Sequence, residues 1–533
     1  MRVPKTEIPD ISPEEKNPLV AKLLGIIEQQ SVILQLLVEE VQLLRDEIAR
    51  LKNQKPKPKI PPSKLEKEPQ QKKNRESKEK RPGSVKREKT KNLTIHETVS
   101  IAPEQIPPGS VFKGHRPYTV QGLRLELYNI RYLLESWKTP AGTYIHGQLP
   151  TEVQGHFSLA LKRFILYQYY QCHVTQPLIL EQLREWGVQI SSGELHHILI
   201  EDKERFHQEK EALLAAGLQV SSYINVDDTG ARHDGSNGYC THIGNERFAW
   251  FASTNSKSRT NFLELLRAGQ RDYVVSPEAL QYMEQQRLPQ AVLSALANHD
   301  RKSFARPSAW QAHLKKLPII HARHKQIATE GALLGSALHH GVSKNLVVVS
   351  DDAGQFNILQ HALCWVHAER TLNKLIPPDL SKGQILEQVR NQVWEFYQQL
   401  KDYKKSPRKR FKAQLEKRFR EIFTQQTAYQ TLNLALKRMY ENKKELLLVL
   451  ERPEIPLHNN LSESDIREYV KKRKISGSTC SDMGRRARDT FTSLKKTCRK
   501  FSLSFWDYLL DRLANKNKIP FLPELILQCG NAP

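Results

Sequence analysis

The chain has 533 residues, of which 39% are hydrophobic, and a formal net charge of +24 at pH 7. Its length predicts about two to four domains, and its strong positive charge favours nucleic acid as the partner. Apolar runs are too short to span a membrane and the N-terminus lacks a signal-peptide core, so we expect a cytoplasmic protein with no membrane partner. The six cysteines form no CxxC pair, which argues against a disulfide framework and predicts no zinc site.

Residues 18–53 carry apolar side chains at alternating spacings of three and four, interrupted only by Gln30. This pattern predicts a coiled coil through which copies of the chain associate; a helix packed on the protein's own core is the alternative. Residues 54–91 contain 15 lysines and arginines against five glutamates and almost no apolar side chains. They predict a disordered basic linker, serving either as a spacer or as an arm that touches phosphates.

Residues 92–220 have a helical pattern, which we interpret as a DNA-binding region. Within it, residues 174–200 form two short helical runs separated by Gly187, and Ser191 with Glu194 supplies a capping box for the second run. This arrangement is typical of a helix-turn-helix, although any helical hairpin can share it.

The hydrophobic period changes to that of strands at residue 221, which predicts an α/β fold. We expect three core segments, separated by a helical insertion and a basic helical insertion. The core segments are residues 221–269, 345–380 and 456–533, and the insertions are residues 270–344 and 381–455. The first core segment predicts a strand and then a hairpin with Gly-Asn-Glu at its turn, and the second predicts a strand and then a shorter strand that runs into a helix.

Two apolar strands end in acids, at Asp227–Asp228 and at Asp351–Asp352. Carboxylates at the ends of neighbouring strands, joined by Glu463 from a helix, suit two divalent cations such as Mg²⁺, which prefers oxygen ligands. Each acid also has an ordinary structural explanation. An aspartate at a strand end often makes a turn, and Glu463 with Arg467 is an i,i+4 helix pair.

Three motifs make the chain similar to transposases of the Asp-Asp-Glu type, in the insertion sequence 66 family. They are VDDTG (226–230), SDDAGQF followed by HALCWVHAER (350–370), and an Asn-x-x-x-Glu pattern in NNLSESDIREYVKKRKISG (459–477) followed by a Ser-Leu-x-x-Thr helix. The resemblance implies a ribonuclease H-like catalytic core with a mixed sheet, preceded by the coiled coil.

The resemblance also implies which residues act. Asp227, Asp351 and Glu463 would be the catalytic metal ligands for two Mg²⁺ or Mn²⁺ ions, with Asp228 and Asp352 as alternates. Residues that would contact DNA or support these ligands are His367, Arg370, Asn460, Arg467, Lys471, Arg473 and Lys474. The whole basic run from residue 471 to residue 474 would neutralise DNA phosphates. From the residues alone, His367 is a buried histidine satisfied by a backbone group, and Asn460 is a helix cap.

The activity implied is that of a DNA transposase that cuts the ends of its own element and joins them to target DNA. Its partners would be the terminal inverted repeats, the target DNA, further copies of the chain and accessory proteins of the same element, in the nucleoid of a prokaryote. A nuclease that cuts without joining and an inactive DNA-binding or synapsis protein are the alternatives. Two features depart from the family pattern: no cysteine-rich zinc segment precedes the core, and the three acids are separated by 124 and 112 residues.

Overall fold

The computed structural model describes residue 30 and residues 93–150, 152–153 and 155–530. The predicted coiled coil and basic linker lie outside these residues, apart from Gln30, which is helical. The chain divides into two compact units, residues 54–131 and residues 1–53 with 132–533.

Residues 93–150, 152–153 and 155–158 are not helical. Residues 93–131 are irregular and mostly exposed, and a small antiparallel hairpin of β1 (Ser136–Lys138) and β2 (Tyr144–His146) follows in the other unit. The helical pattern expected over residues 92–158 was therefore wrong. Six prolines between residues 103 and 150 remove backbone donors and fix φ, which breaks a continuous helix.

Four helices lead into the sheet: α1 (Leu159–Tyr170), α2 (Gln176–Glu185), α3 (Ser192–Ile200) and α4 (Glu204–Val220). The two helices expected at residues 174–200 are α2 and α3. Gly187 makes the turn between them with a φ of +85°, which favours glycine. Ser191 Oγ accepts the backbone N–H of Glu194 at 3.1 Å, as the capping box predicts.

A five-stranded mixed sheet forms the centre of the fold, in the order β5-β4-β3-β8-β9. Its strands are β3 (Tyr223–Gly230), β4 (Tyr239–Gly244), β5 (Ala249–Thr254), β8 (Val347–Ser350) and β9 (Gln360–Leu363). β3, β4 and β5 are antiparallel neighbours, whereas β3, β8 and β9 are parallel. The predicted hairpin is β4–β5, turning at residues 245–248. The mixed α/β architecture is confirmed.

The connection from β5 to β8 is mostly helical, as expected. It contains α5 (Arg259–Leu266), α6 (Pro277–Gln285), α7 (Gln290–Asn298), α8 (Pro307–Leu314) and α9 (Ala322–His339), with a two-stranded ribbon of β6 (Tyr273–Val274) and β7 (Ser303–Phe304). Its apolar side chains join Ile224, Val226 and Val348 of the sheet in one hydrophobic cluster. The insertion therefore packs on one face of the sheet.

The second insertion belongs to another hydrophobic cluster, which includes Val347 and Val349 of β8. A 3-10 turn (Gly354–Phe356) precedes β9, and α10 (Trp365–Asn373), α11 (Leu380–Lys405), α12 (Lys409–Phe423), α13 (Gln430–Glu441), α14 (Lys443–Leu446) and a 3-10 turn (Leu448–Leu450) follow it. Trp365 is 1% exposed at the centre of this cluster. Its indole Nε1 donates to the carbonyl of Leu446 at 2.9 Å, which fixes the start of α10.

Four helices end the described chain: α15 (Asn460–Ser476), α16 (Asp482–Lys500), α17 (Phe505–Leu513) and α18 (Leu522–Gly530). α16 covers the edge strand β5. Its side chains at four-residue intervals accept alternate backbone N–H groups of the strand: Asp489 from Ser253 at 2.7 Å, Ser493 from Phe251 at 2.9 Å and Thr497 from Ala249 at 3.1 Å. These bonds satisfy one edge of the sheet, which would otherwise present unpaired donors.

Within the described ranges, no helix combines the length and the apolar character that crossing a membrane requires.

Candidate active site

The sheet brings the two aspartate motifs to the same level. β3 and β8 are parallel, with Tyr223 opposite Val347 and Asn225 opposite Val349. Continuing this register by two residues sets Asp227 beside Asp351. Since the carboxyl ends of parallel strands meet at one edge of a sheet, the two carboxylates converge there.

Asp227 and Asp228 lie on opposite faces of β3, because side chains alternate along a strand. Asp227 is paired with His242 of β4. The ring of His242 contacts Ser462 Oγ at 2.6 Å and Asp465 Oδ2 at 3.2 Å, both on α15. Asp227 therefore lies on the face that α15 covers.

The two alternate aspartates have other surroundings. Asp228 accepts hydrogen bonds from Thr241 Oγ1 at 2.5 Å and from Gln355 Nε2 at 3.0 Å. Burial raises the pKa of Asp228, and these two hydrogen bonds oppose the rise. Asp352 is exposed as a residue, but its carboxyl group is partly shielded from solvent. This shielding raises the pKa of Asp352, a hydrogen bond with Asn442 opposes the rise, and the charge of Asp351 adds to it.

Glu463, in the first turn of α15, faces one histidine and two arginines. Its carboxylate lies 3.6 Å from His367 Nε2, 3.4 Å from Arg370 Nη1 and 3.6 Å from Arg467 Nη2. The side chain is 15% exposed, and Oε1 is buried without a hydrogen-bond partner in the described parts of the chain. The i,i+4 pair with Arg467 exists, but Arg370 and His367 of α10 also lie next to this carboxylate.

The acids are close enough to affect each other's ionisation. Burial raises the pKa of Asp227 to about 7, and the charges of Asp351, Asp228 and Glu463 add to the rise, while a hydrogen bond from the backbone of Asp228 opposes it. A divalent cation would relieve this repulsion, and an all-oxygen donor set suits Mg²⁺. As the side chains stand, no three acidic, histidine or cysteine side chains of the described residues are grouped closely enough to hold a metal ion. The carboxylates of Asp227, Asp351 and Glu463 suit Mg²⁺ chemically, but the side chain of Glu463 is turned towards α10.

His367 and Arg370 lie one turn apart on α10, with Arg370 Nη1 3.0 Å from His367 Nε2. Burial lowers the pKa of His367, and the neighbouring charge of Arg370 lowers it further. His367 Nδ1 is buried without a hydrogen-bond partner among the described residues. The interpretation of His367 as a histidine satisfied by a backbone group was therefore wrong, because the ring faces Arg370 and Glu463.

Asn459, which the sequence analysis did not select, connects the elements of the site. It is fully buried. Its Nδ2 donates to the carbonyl of Val226 at 2.7 Å, its Oδ1 accepts from Asn225 Nδ2 at 2.8 Å, and its backbone N–H donates to Cys364 Sγ at 3.1 Å. This one residue thus joins β3, α15 and the start of α10.

The neighbouring Asn460 is exposed at the first position of α15, and the N-cap residue of this helix is Asn459 instead. The Asn-x-x-x-Glu pattern already pointed to Asn459, because that residue lies four positions before Glu463.

Comparison with known proteins identifies the chain. The profile of the transposase IS66 family matches residues 328–487, which include Asp351 and Glu463 but not Asp227. The chain is also similar to the uncharacterized protein y4jO of Sinorhizobium fredii (strain NBRC 101917 / NGR234), with 46% identity over 303 residues, 56% of this chain and 94% of that protein. The chain belongs to the transposase IS66 family. The resemblance inferred from the motifs is confirmed, and membership implies a DNA-processing enzyme with a transposase role and DNA as a partner.

In this IS66-family chain, the buried residues of the helix that carries Glu463 include the charged Asp465, Glu468 and Lys472 beside the apolar Ile466 and Tyr469. Asp465 and Glu468 each contact two basic side chains at 2.8–2.9 Å: Lys496 and Lys500 for Asp465, and His173 and Lys495 for Glu468. Burial would raise the pKa of Asp465, but contacts with His242 and the two lysines outweigh this effect and lower the pKa. Such paired charges hold α15 in one orientation, since breaking one pair would leave a buried charge.

The basic run of α15 divides into exposed and buried side chains. Lys471 and Lys474 are exposed. Lys472 is 3% exposed, donates to the carbonyl of Tyr169 at 2.8 Å and lies 3.4 Å from the centre of that ring. Burial lowers the pKa of Lys472 to about 7. The expectation that the whole run meets phosphates was wrong for Lys472, because the helical period turns it inward.

Arg473 is half-buried and holds the end of β3. Its Nη1 donates to the carbonyl of Gly230 and lies 3.4 Å from Thr229 Oγ1. The guanidinium therefore lies next to the strand that carries Asp227, three residues beyond it.

Proposed function

We propose that this chain is an Asp-Asp-Glu transposase, which cuts DNA at the ends of its element with a requirement for divalent metal and joins the freed 3′-hydroxyl to target DNA. The register that sets Asp227 beside Asp351, on the face covered by the Glu463 helix, carries the proposal. Asp228 is the weaker candidate, because Thr241 and Gln355 already bind its carboxylate.

In this proposal the five-stranded sheet is a ribonuclease H-like core. Three features support the assignment: a mixed sheet, acids at the ends of two neighbouring parallel strands, and a third acid from a helix that packs on one face of the sheet. The family membership established above also supports a ribonuclease H-like fold.

Asp227, Asp351 and Glu463 would hold two Mg²⁺ or Mn²⁺ ions. When bound, such ions supply Lewis-acid stabilisation for in-line attack on a phosphodiester. Glu463 would leave its 3.4 Å contact with Arg370 to take part in the site. Arg370 would then be available for a DNA phosphate, a group that guanidinium binds well. His367, beside both residues, would support Glu463 and Arg370 in these positions.

The proposal assigns DNA contacts outside the acids as well. The helical pair α2–α3 would act as the helix-turn-helix that recognises the element ends, and the exposed Arg467, Lys471 and Lys474 would meet phosphates of the same DNA. The coiled coil predicted at residues 18–53 would join copies of the chain so that two ends are held together.

The test uses DNA that carries the inverted repeats flanking the gene, incubated with the full chain and Mg²⁺ or Mn²⁺. We expect cleavage at the repeat tips and joining to target DNA, both lost by at least a thousandfold in Asp351→Asn and Glu463→Gln while DNA binding remains. Cleavage without joining would identify a nuclease instead. Binding without cleavage by the parent chain would identify a synapsis protein.

A further inference from the structure

A cleft of about 650 Å³ opens next to the acidic site. It lies between the loop that joins β3 to β4 and the C-terminal end of α15. The residues that line it include Arg232, Asn237, Tyr239 and Arg473. Gly230, which also lines the cleft, is three residues beyond Asp227, or about 10 Å along a strand.

The cleft presents polar groups that the described residues leave unused. Arg473 is held through Nη1 by the carbonyl of Gly230, and its Nη2 and Nε have no partner among the described residues. Arg232 is exposed and donates through Nη2 to Gly235 at 3.1 Å. The side chains of Asn237 and Tyr239 have no hydrogen-bond partner in the described part of the chain. Two arginines, an asparagine and a tyrosine thus line one opening.

The loop on one side of the cleft is fixed by contacts with the segment after α15. His233 Nδ1 lies 2.8 Å from Thr479 Oγ1, and the N–H of Asp234 donates to the carbonyl of Thr479 at 2.8 Å. A Cβ at Gly238 would lie 2.6 Å from the carbonyl oxygen of Ala231, so only glycine permits this close approach. The cleft is therefore a preformed feature of the fold.

We propose that this cleft receives one unstacked nucleotide of the DNA strand, within about three nucleotides of the phosphate that is cut. The inference rests on the proposed function. The two arginines match a backbone phosphate, the ring of Tyr239 offers a stacking surface for the base, and Asn237 offers both a donor and an acceptor to its edge. The volume lies in the range of single-ligand sites, too small for a duplex. The 10 Å offset from Asp227 equals the rise of about three stacked nucleotides.

Photo-crosslinking tests the inference directly. End DNA carries 5-iodouracil at one of the three positions on either side of the cleavage point. Each DNA is irradiated with the full Glu463→Gln chain, which we expect to bind without cutting. We expect one position to crosslink to Tyr239 or to another residue of the cleft, located by mass spectrometry. Efficient crosslinks that all fall outside the cleft would overturn the inference.

Affinity measurements give a second readout. Tyr239→Ala and Arg232→Ala should each weaken binding of end DNA about tenfold, whereas Tyr239→Phe keeps the stacking ring and should stay within twofold. Arg323→Ala, which removes an exposed arginine on α9, is the matched control and should leave binding unchanged. Equal affinities for all four variants would overturn the inference.

The two claims fail separately. Normal cleavage by the parent chain, with crosslinks only outside the cleft, overturns the inference and leaves the proposed function standing. Crosslinks in the cleft with no cleavage by the parent chain sustain the nucleotide site and overturn the enzyme. A parent chain that binds no end DNA overturns both.

Discussion

Asn459 donates a hydrogen bond to the backbone carbonyl of Val226 across 2.7 Å, directly before Asp227 in the chain. Asn459 also directly precedes α15, the helix whose first turn carries Glu463. The buried side-chain amide of Asn459 therefore sets the separation between Asp227 and Glu463. A polar side chain in this position aligns two elements that are more than 200 residues apart in sequence.

Asn459→Ala should impair the site more than it impairs the fold. Loss of the amide leaves a buried carbonyl unpaired, which costs about 1–3 kcal/mol of unfolding free energy. The displaced Glu463 should lower the DNA cleavage rate about a hundredfold. Urea unfolding and single-turnover cleavage measure the two effects. Asn460→Ala, at the exposed next position, is the control: its unfolding free energy should change by less than about 0.5 kcal/mol. Equal cleavage rates for the two variants would contradict this role of Asn459.

Arg370→Ala should change how DNA binding depends on salt. If Arg370 meets a phosphate once Glu463 binds metal, its removal eliminates one released counterion, and the slope of log K against log salt should fall by about one. Titrations between 50 and 300 mM salt with a Mg²⁺-loaded, cleavage-resistant DNA measure the slope. Arg323→Ala, which removes a charge from an exposed position on α9, should leave it unchanged. An unaltered slope for Arg370→Ala would restrict this arginine to neutralising Glu463.

Ser493→Ala tests the polar covering of the sheet edge. Ser493 Oγ accepts the N–H of Phe251 at 2.9 Å, and both residues are fully buried. The alanine variant leaves that N–H unpaired, so the unfolding free energy should fall by about 1–3 kcal/mol. Ser294→Ala, at an exposed position within α7, should change it by less than about 0.5 kcal/mol. A neutral result for Ser493→Ala would mean that water replaces the hydroxyl.

The contribution of Glu468 should depend on pH. His173 and Lys495 lie 2.8 and 2.9 Å from its carboxylate, with Lys471 at 4.0 Å, and the contact with His173 is the largest cause that holds the pKa of Glu468 well below 4.5. A depressed native pKa stabilises the fold fully above pH 4.5, and this stabilisation is lost as the pH falls through the native pKa. Glu468→Gln should therefore lower the unfolding free energy by about 2–4 kcal/mol at pH 7. The difference from the parent should shrink towards pH 3, and a constant difference would refute the assignment.

The strand-end acids could be predicted because local sequence determines them. A run of β-branched residues, Val347–Val349, predicts a buried strand, and acids directly after it must lie near the end of that strand. The pairing of β3 with β8 is not visible in either segment, since 124 residues separate the two aspartates. Register therefore had to come from the structure, and with it the placement of Asp227 and Asp228 on opposite faces.

The surroundings of Glu463 show where sequence reasoning stops. Helical periodicity predicts α15, yet its buried face carries Asp465, Glu468 and Lys472, which resemble a solvated face in the sequence. Their partners come from distant elements such as α16, and no local pattern predicts that these charges pair in the interior. The same limit applies to Ser493 and its neighbours on α16, whose polar stripe meets a strand edge instead of water.

The proposed active site depends on Asp227, rather than Asp228, being the metal ligand on β3. Cleavage by Asp227→Cys and Asp228→Cys is measured with Mg²⁺ and with Mn²⁺, after thermal unfolding has shown that both variants fold. Thiolate is a poor ligand for Mg²⁺ and a better one for Mn²⁺. We expect Asp227→Cys to lose cleavage by about a thousandfold in Mg²⁺ and to recover part of it in Mn²⁺, whereas Asp228→Cys stays within about tenfold of the parent with either metal. Loss and Mn²⁺ recovery in Asp228→Cys, with Asp227→Cys still active, would contradict this assignment.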